Sequence, residues 1–193
     1  MTESAINTAN ISVSQPVSTG GIIFRAPKGT ALPTDASTAL EAAYESLGDI
    51  GEDGFTESTK ADSNDFKDMA GNIVLSVSGN KSRSFKTTFI EAKRVPLLKF
   101  VYGDSNVEVE ATTSALKSVN MSNADQPECI IVAEELMSDG TKRRTVFDRA
   151  KASDWDDVDH QKGKLLSYGM TIKLLDNGNN SAGHIYFAAP ANA

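Results

Sequence analysis

The sequence predicts a mainly β protein, folded as a β-sandwich or a partly closed barrel. From Gly20 onward, short apolar runs alternate with polar residues at a period of two, and Gly, Asn and Asp separate the runs. Helix signals are few by comparison. The chain has 193 residues, so we expect a single domain with roughly eight short strands and one or two short helices.

The clearest predicted strand is Lys164 to Leu175, in which Tyr168, Met170, Ile172 and Leu174 alternate with polar residues or glycine. This alternation is typical of a strand with one buried face. The further predicted strands span Gly21 to Ala26, Asn72 to Ser78, Ser82 to Ile90, Val107 to Thr113, Glu128 to Glu134, Thr141 to Lys151 and Gly183 to Ala188, with hairpin turns at Gly79 and Asn80 and at Asp139 and Gly140.

Two segments carry helix signals. Pro96 suits a first helical turn and Gly103 suits a C-terminal cap, so a short helix is predicted over Pro96 to Tyr102. Thr38 and Glu41 fit a capping box, and apolar residues follow at helical spacing up to Gly48. The sequence therefore predicts one or two short helices beside the strands.

The composition divides the chain into three parts. Residues 1–20 are rich in Ser, Thr, Asn and Ala and are predicted to be a flexible N-terminal arm. Residues 21–175 form the predicted β-sandwich domain, with a long acidic loop at 48–70, and residues 176–193 form a C-terminal strand and arm. The N-terminus lacks the regions of a signal peptide, and no apolar run approaches the roughly 18 residues of a membrane span. We expect a soluble protein that is made in the cytoplasm and has no membrane partner.

The common catalytic and metal-binding motifs are absent from this sequence or incomplete in it. One cysteine, Cys129, and two histidines are too few for a disulfide framework or a typical zinc site. A nucleophile elbow and a phosphate-binding loop are absent, and the stretch starting at Asp49 lacks the glutamate that closes a calcium loop. Four aspartates around Trp155 are predicted to form a solvated acidic turn. We therefore expect no enzyme activity, no cofactor and no metal.

The charges are unevenly placed along the chain. The net charge is −7, which argues against a protein that wraps nucleic acid. Residues 47–70 carry seven acids and two lysines, a net charge of −5, while residues 81–100 carry six bases and one acid, a net charge of +5. Two interpretations are open: complementary patches between copies of the chain, or ordinary surface charge.

Several stretches resemble a known family. Residues 20–33 read GGIIFRAPKGTALP and continue as TDASTALEAAYESLGDIGEDG, residues 85–103 read FKTTFIEAKRVPLLKFVYG, and residues 145–175 place a basic strand, an acidic linker and an alternating strand in succession. From Gly20 onward the chain resembles the major tail tube proteins of long non-contractile-tailed bacteriophages, especially those of actinobacterial hosts. The first stretch is the most specific.

The resemblance implies a tail tube fold: a β-sandwich or rolled sheet flanked by one helix, with a long inter-strand loop and terminal arms. Six copies would close into a ring, and the rings would stack into a tube that delivers DNA. The tape measure, tail terminator and distal tail proteins are the implied partners, and the virion tail, after assembly in the host cytoplasm, is the implied location. The resemblance also implies that Glu45 to Gly51 is extended, against the capping-box helix.

In the resembled family the long loop reaches the adjacent ring, which makes its acids candidate contacts and the basic stretch their complement. The candidate inter-ring contacts are Asp49, Glu52, Asp53, Glu57 and Asp62, and the candidate basic patch is Lys81, Arg83, Lys86, Lys93, Arg94 and Lys99. An acidic lumen would let DNA slide, whereas Arg143, Arg144 and Arg149 lie on a strand that is a candidate for the lumen wall.

Two alternative functions stay open at the level of sequence. One is a tail terminator or decoration protein of similar β fold. The other is a carbohydrate-binding or adhesion module with an aromatic platform drawn from Trp155, Tyr168 or Tyr186. The low aromatic content of 7% and the place of Tyr168 in an apolar stripe count against the second.

Overall fold

The computed structural model describes residues 7–17 and 22–190, and that part of the chain is mainly β with one α-helix. Strands β1 to β11 span Ser14–Pro16, Ile23–Pro27, Glu45–Ser46, Ile50–Lys67, Ile73–Phe89, Val107–Val109, Leu116–Val119, Cys129–Met137, Lys142–Trp155, Tyr168–Leu174 and His184–Ala188, and helix α1 spans Val95–Tyr102. The prediction of a mainly β fold with one flanking helix is confirmed.

One large antiparallel sheet organises the molecule. Its strand order is β3-β2-β8-β9-β10-β5-β4, with β1 beside the C-terminal part of β8 and β11 beside the N-terminal part of β9. Strands β6 and β7 form a separate two-stranded sheet. Neighbours in this order are often distant in sequence, so the sheet is held by long-range pairing.

The sheet is covered on both faces. Helix α1 packs on one face, where Leu97 and Phe100 join Phe85, Phe89 and Met170 in the larger core cluster. The segment between β2 and β3 covers the other face with a smaller cluster that includes Tyr44, Ile130 and Val132. Successive residues of β8 contribute to opposite clusters, as the alternation of a strand requires.

Helix α1 follows its sequence signals. Pro96 lies in the first turn, where its missing N–H leaves no hydrogen bond unmade. Gly103 ends the helix with a φ of 99°, and its N–H donates to the Lys99 carbonyl oxygen at 2.8 Å. The helix predicted over Pro96 to Tyr102 is therefore confirmed, with one residue added at its start.

The capping-box helix predicted after Thr38 is wrong. The Asp35 carboxylate instead accepts hydrogen bonds from the backbone N–H groups of Ser37 and Thr38, both at 2.6 Å, which closes a turn in place of a helix. Glu45–Ser46 then forms β3 against β2. The extended conformation from Glu45 that the resemblance implied is what the structure contains.

The hairpin turn predicted at Gly79 and Asn80 is also wrong, because these residues form a β-bulge inside β5. Ala61 pairs with Lys81 and Ser63 with Ser78, so β5 holds one more residue than β4 over this step. The true turn lies at 68–72, where the Asp68 N–H donates to the Asn72 carbonyl oxygen at 2.9 Å. The segment 48–70, predicted as a loop, is thus mostly strand β4 of a long hairpin.

The remaining strand predictions differ mainly in their ends. The strand predicted over Lys164 to Leu175 begins only at Tyr168, and its apolar residues lie in the core as expected. The strand predicted over Val107 to Thr113 stops at Val109 and pairs with β7, which the sequence did not indicate. The predicted turn at Asp139 and Gly140 joins β8 to β9 as expected.

The terminal arms are described only in part. Strand β1 pairs with the end of β8, so this piece of the predicted N-terminal arm is docked on the sheet. Residues 1–6 and 18–20 of that arm, residue 21, and residues 191–193 of the predicted C-terminal arm lie outside the described residues.

Candidate assembly surfaces

The most prominent surface of the molecule is a projecting β-hairpin. Strand β10 pairs with β5 only from Arg83 to Phe89, so residues 60–82, here called the arm, have no neighbouring strand beyond their own hairpin. Every residue of the arm is exposed. Its β5 half, Ile73 to Ser82, extends about 33 Å at the usual strand rise. Two-stranded hairpins are marginally stable in water, so we expect the arm to be stabilised by contact with a partner.

The arm has one apolar and one polar face. Phe66 pairs with Leu75, and Asn64 pairs with Val77, so these side chains share a face. Phe66, Ile73, Leu75 and Val77, here called the apolar arm face, are 54%, 58%, 55% and 47% exposed. Residues on the other face are mostly polar: the Ser76 hydroxyl donates to the Asp65 carboxylate at 2.6 Å, and Ser63 pairs with Ser78.

The candidate acidic contacts do not form one patch. Asp49, Glu52 and Asp53 are exposed near the start of β4, where its pairing with β5 is interrupted between Ile50 and Phe55. Glu57 lies further along β4 and is paired with Arg143 of the same chain at 3.5 Å, and Asp62 lies in the arm opposite the bulge. The acids therefore follow β4 from the body into the arm.

The candidate basic residues are similarly dispersed. Lys81 and Arg83 lie on β5, directly opposite Ala61 and Thr59 of β4, so the acidic and basic stretches are neighbours in one hairpin. The other four lie nearer the body: Lys86 pairs with Asp156, Arg94 pairs with Glu91, and Lys93 and Lys99 have no ion pair among the described residues. The structure does not bring the six bases together.

The three arginines of β9 are neutralised within the chain. Arg143 forms an ion pair with Glu135, and the buried Arg144 pairs with Glu134. Arg144 also donates to the backbone carbonyl oxygens of Asp35 and Thr38 at 2.7 and 2.8 Å. These arginines are committed to holding the body together and leave little free positive charge on this strand.

Glu128 neutralises the third arginine. Its carboxylate accepts hydrogen bonds from Arg149 at 2.7 and 2.9 Å and from Lys28 at 2.8 Å. These hydrogen bonds lower the pKa of Glu128 to about 2.

The glutamates opposite β9 were missed at the level of sequence, although a signal for them exists. The predicted two-residue turn at Asp139 and Gly140 would leave Glu134 opposite Thr145, whereas a three-residue turn centred on Asp139 places Glu135 opposite Arg143 and Glu134 opposite Arg144, which is the register of the structure. Opposite charges directly across a pair of strands stabilise each other. The turn and the charge pattern together would have predicted both ion pairs.

A groove of about 530 Å³ lies at the end of the body away from the arm. We call it the base groove; it is lined by the end of α1, residues 121–126, the end of β9 and the start of β10. Tyr102 and Tyr168 meet edge to face with ring centroids 6.2 Å apart, and Trp155 and Met121 are 46% and 77% exposed. Burial and the hydrogen bond with Tyr102 raise the pKa of Tyr168 to about 12, so the Tyr168 phenol stays neutral at physiological pH.

The groove unites two of the three aromatic residues that the sequence offered as a sugar-binding platform. Trp155 and Tyr168 line it, whereas Tyr186 packs on the smaller core cluster and stacks on His184. Tyr102 and Met121 also line the groove and were not predicted, because loop and helix residues give no periodic signal for a shared surface.

Neither a metal site nor a membrane span is found in the described ranges. Within residues 7–17 and 22–190, no group of three His, Cys, Asp or Glu side chains is placed to hold a metal ion. No helix in those ranges has the length and hydropathy needed to cross a bilayer. Cys129 is buried, and burial raises the pKa of its thiol to about 11.

Comparison with known proteins gives a family match that covers most of the chain. Residues 7–192 match the protein family described as phage tail tube protein. Among solved structures, the fold is similar to the cap of the anti-feeding prophage, its tube terminating cap, at 10% identity and a TM-score of 0.40, over 96% of this chain and 99% of that one. The TM-score is low, so assignment to the family depends on the sequence match. No curated protein sequence matches the chain.

Proposed function

Because the chain belongs to the phage tail tube protein family, a structural family of the virion tail, we propose that it assembles into closed rings that stack into the tail tube. Each ring would hold six copies, the number that the sequence resemblance implied. The phage would be one with a long, non-contractile tail, and its DNA would pass through the tube during delivery.

The observation that carries this proposal is the exposed arm. In a monomer, the 23-residue arm has no tertiary contacts, so the four exposed side chains of the apolar arm face contribute nothing to its stability. In a stack of rings, the arm would lie against the adjacent ring and bury this face, which stabilises the contact through the hydrophobic effect. The stacking contact proposed here is therefore primarily apolar, with the acids of β4 in a secondary role.

Ring closure would use the open edges of the sheet. Strand β4, 18 residues long, hydrogen-bonds only with β5 among the strands described, so its outer edge is free. The opposite side of the sheet ends in the two-residue strand β3, which pairs with β2, and in β1, which pairs with the end of β8. Free strand edges promote association, and pairing each edge with a neighbouring copy would close the sheets into a barrel.

The charge distribution supports passage of DNA. The chain carries a net charge of −7, and the arginines of β9 are already paired with glutamates. A wall with few free cations would not hold the DNA backbone, because phosphate binding requires unpaired Lys and Arg. The proposed tube would thus guide DNA without retaining it.

Assembly would take place in the host cytoplasm before the tube joins the virion. A tube needs a defined length and two ends, so we expect contacts with a tape measure protein, a tail terminator and a distal tail protein. The terminal rings would offer these partners the two surfaces that stacked rings otherwise cover: the arms at one end and the base of the body at the other.

Electron microscopy tests the proposal directly. Purified full-length protein, concentrated in steps and negatively stained, is expected to form rings and then tubes of constant diameter. Sedimentation of the same samples would give the mass of the smallest closed species, and thus the number of copies in each ring. A chain that stays monomeric at every concentration would contradict the proposal.

A further inference from the structure

The molecule has an uncovered apolar hairpin at one end and an aromatic groove at the other. We propose that the base groove of one copy receives the apolar arm face of a second copy. This inference depends on the proposed self-assembly and adds to it the surface that the arm contacts.

The arm of the same molecule cannot fill the groove. Gly169 lines the groove and pairs with Thr88 near the end of β5, whereas Leu75 of the apolar arm face lies 13 residues earlier in that strand. At the usual rise per residue, the two positions are separated by about 43 Å. Because one continuous strand fixes this separation, an apolar arm face that fills the groove must belong to another copy.

The two surfaces match in chemistry and size. The groove presents the exposed Trp155 and Met121 beside the Tyr102 and Tyr168 rings. Its volume of about 530 Å³ falls in the range, roughly 300–1,000 Å³, of pockets that enclose a small ligand. It therefore has room for side chains such as Phe66, and aromatic pairs stabilise a contact beyond the area they bury.

Charge complementarity also favours the arm. Asp65 and Asp68 are engaged within the hairpin: Asp65 accepts from Ser76, and Asp68 accepts from the N–H groups of Ala70 and Asn72. In the part of the chain that is described, Lys67 has no such partner, so it is the available charge beside Phe66.

The rim of the base groove is acidic. Asp154, Asp156, Asp157 and Asp159 lie in one short run after and at the end of β9, beside the groove. Asp156 pairs with Lys86 and Asp159 with Lys164, while Asp157 has no ion pair among the residues described. The lysine of an incoming arm would thus meet an unpaired carboxylate.

This contact would propagate without closing on itself. The arm and the groove lie at opposite ends of the same strand, so the contact is heterologous and runs head to tail along the strand direction. Each added copy presents a new arm, and growth continues in the direction that ring stacking requires.

Trp155 is the only tryptophan of the chain and reports directly on the groove. Its emission is measured on the full-length protein through a concentration series, with assembly followed by light scattering in the same samples. We expect the emission maximum to move to shorter wavelength as tubes form, because the indole leaves water. The double variant Phe66→Ser, Leu75→Ser is expected to lose both the tubes and the shift.

Val74→Ser is the matched control, since Val74 is 65% exposed on the other face of the same hairpin. It should assemble and shift like the wild type, and circular dichroism should show that all variants keep their β structure. A mixture of the variants Leu75→Cys and Met121→Cys, treated with a short bismaleimide, should give cross-linked dimers that neither variant gives alone.

The outcomes separate the two proposals. Tubes that form without a Trp155 shift and without the mixed cross-link would overturn the groove assignment and leave the proposed function standing. A shift that is independent of concentration would mean that a segment of the same chain fills the groove, which also overturns the assignment. Absence of assembly at every concentration would overturn both proposals.

Discussion

Glu128 links distant parts of the chain through one carboxylate. It accepts hydrogen bonds from Arg149 of β9 and Lys28 of the loop after β2, which lie 21 and 100 residues away in sequence. The pKa of Glu128 falls from its ordinary 4.5 to about 2 because both partners favour the charged form. The cluster is partly exposed, so we expect a modest effect on stability.

This shift predicts an acid-dependent loss of stability. Since the pKa of Glu128 is lower in the folded than in the unfolded chain, its contribution is fully present above about 4.5 and is lost as the pH falls towards about 2. Glu128→Gln removes that contribution, so the variant should show a smaller drop in unfolding free energy between neutral pH and a pH within that window. Urea unfolding at both values measures it.

Wild-type chain and variant share every other acid with a lowered pKa, such as Asp104 and Glu91, which makes the difference between them specific to Glu128. Equal drops in unfolding free energy in the two proteins would contradict the prediction.

Among the elements, those defined by local chemistry could be predicted from the sequence. Pro96 and Gly103 fix both ends of α1, and the turn at Asp139 and Gly140 fixes the β8–β9 hairpin. The capping-box helix failed because Asp35, three residues before Thr38, accepts from the backbone N–H groups of Ser37 and Thr38 in a turn. Tyr44 of the same segment packs into the smaller core cluster, a tertiary contact that the local signals do not reveal.

The arm could not be predicted as a whole. Asn72 to Ser78 was predicted as a strand, but its partner β4 was predicted as a loop and the bulge in β5 resembles a turn. Gly79 and Asn80 have the composition of a two-residue hairpin loop, yet strand β5 continues through them as a bulge. A side chain at Gly79 would place its Cβ 3.0 Å from the Asp62 carbonyl oxygen, so the close approach of β4 explains the glycine. The base groove was equally hidden, since helix, loop and two strands each supply one side of it.

Deleting Asn80 tests the function of the bulge. A bulge bends its strand and increases the local twist, so its loss should re-aim the arm while the body keeps its contacts. We expect circular dichroism and the thermal midpoint to change little, because residues 60–82 are exposed, and tube formation to be lost. Negative-stain microscopy measures the second outcome.

Asn80→Ser serves as the control for that deletion, because it keeps the number of residues in β5 and should assemble normally. Tubes of normal diameter from the deletion variant would show that the direction of the arm does not matter for stacking.

At the scale of the whole molecule, body and arm are separable. The core clusters involve residues of the body alone, and no core residue lies between 60 and 82. Ala61 and Lys81 already pair across the hairpin, so removal of residues 63–78 would leave Asp62, Gly79 and Asn80 as a short loop of favourable turn residues. This armless variant should fold and keep the edges used for ring closure.

The armless variant is expected to form rings without tubes, because it retains β4 up to the turn and loses the apolar arm face.

The armless variant should also limit the growth of tubes of the wild-type protein. Its groove can accept the arm of a wild-type ring, but it offers no arm to the next, so rings that contain it would stop growth at the arm-bearing end. Small amounts added to assembling wild-type protein should therefore shorten the tubes, as measured by electron microscopy. Tube lengths that stay unchanged would contradict stacking by the arm. Shortening would support it, because a subunit that joins the growing end through its groove and then blocks that end must carry groove and arm at opposite ends.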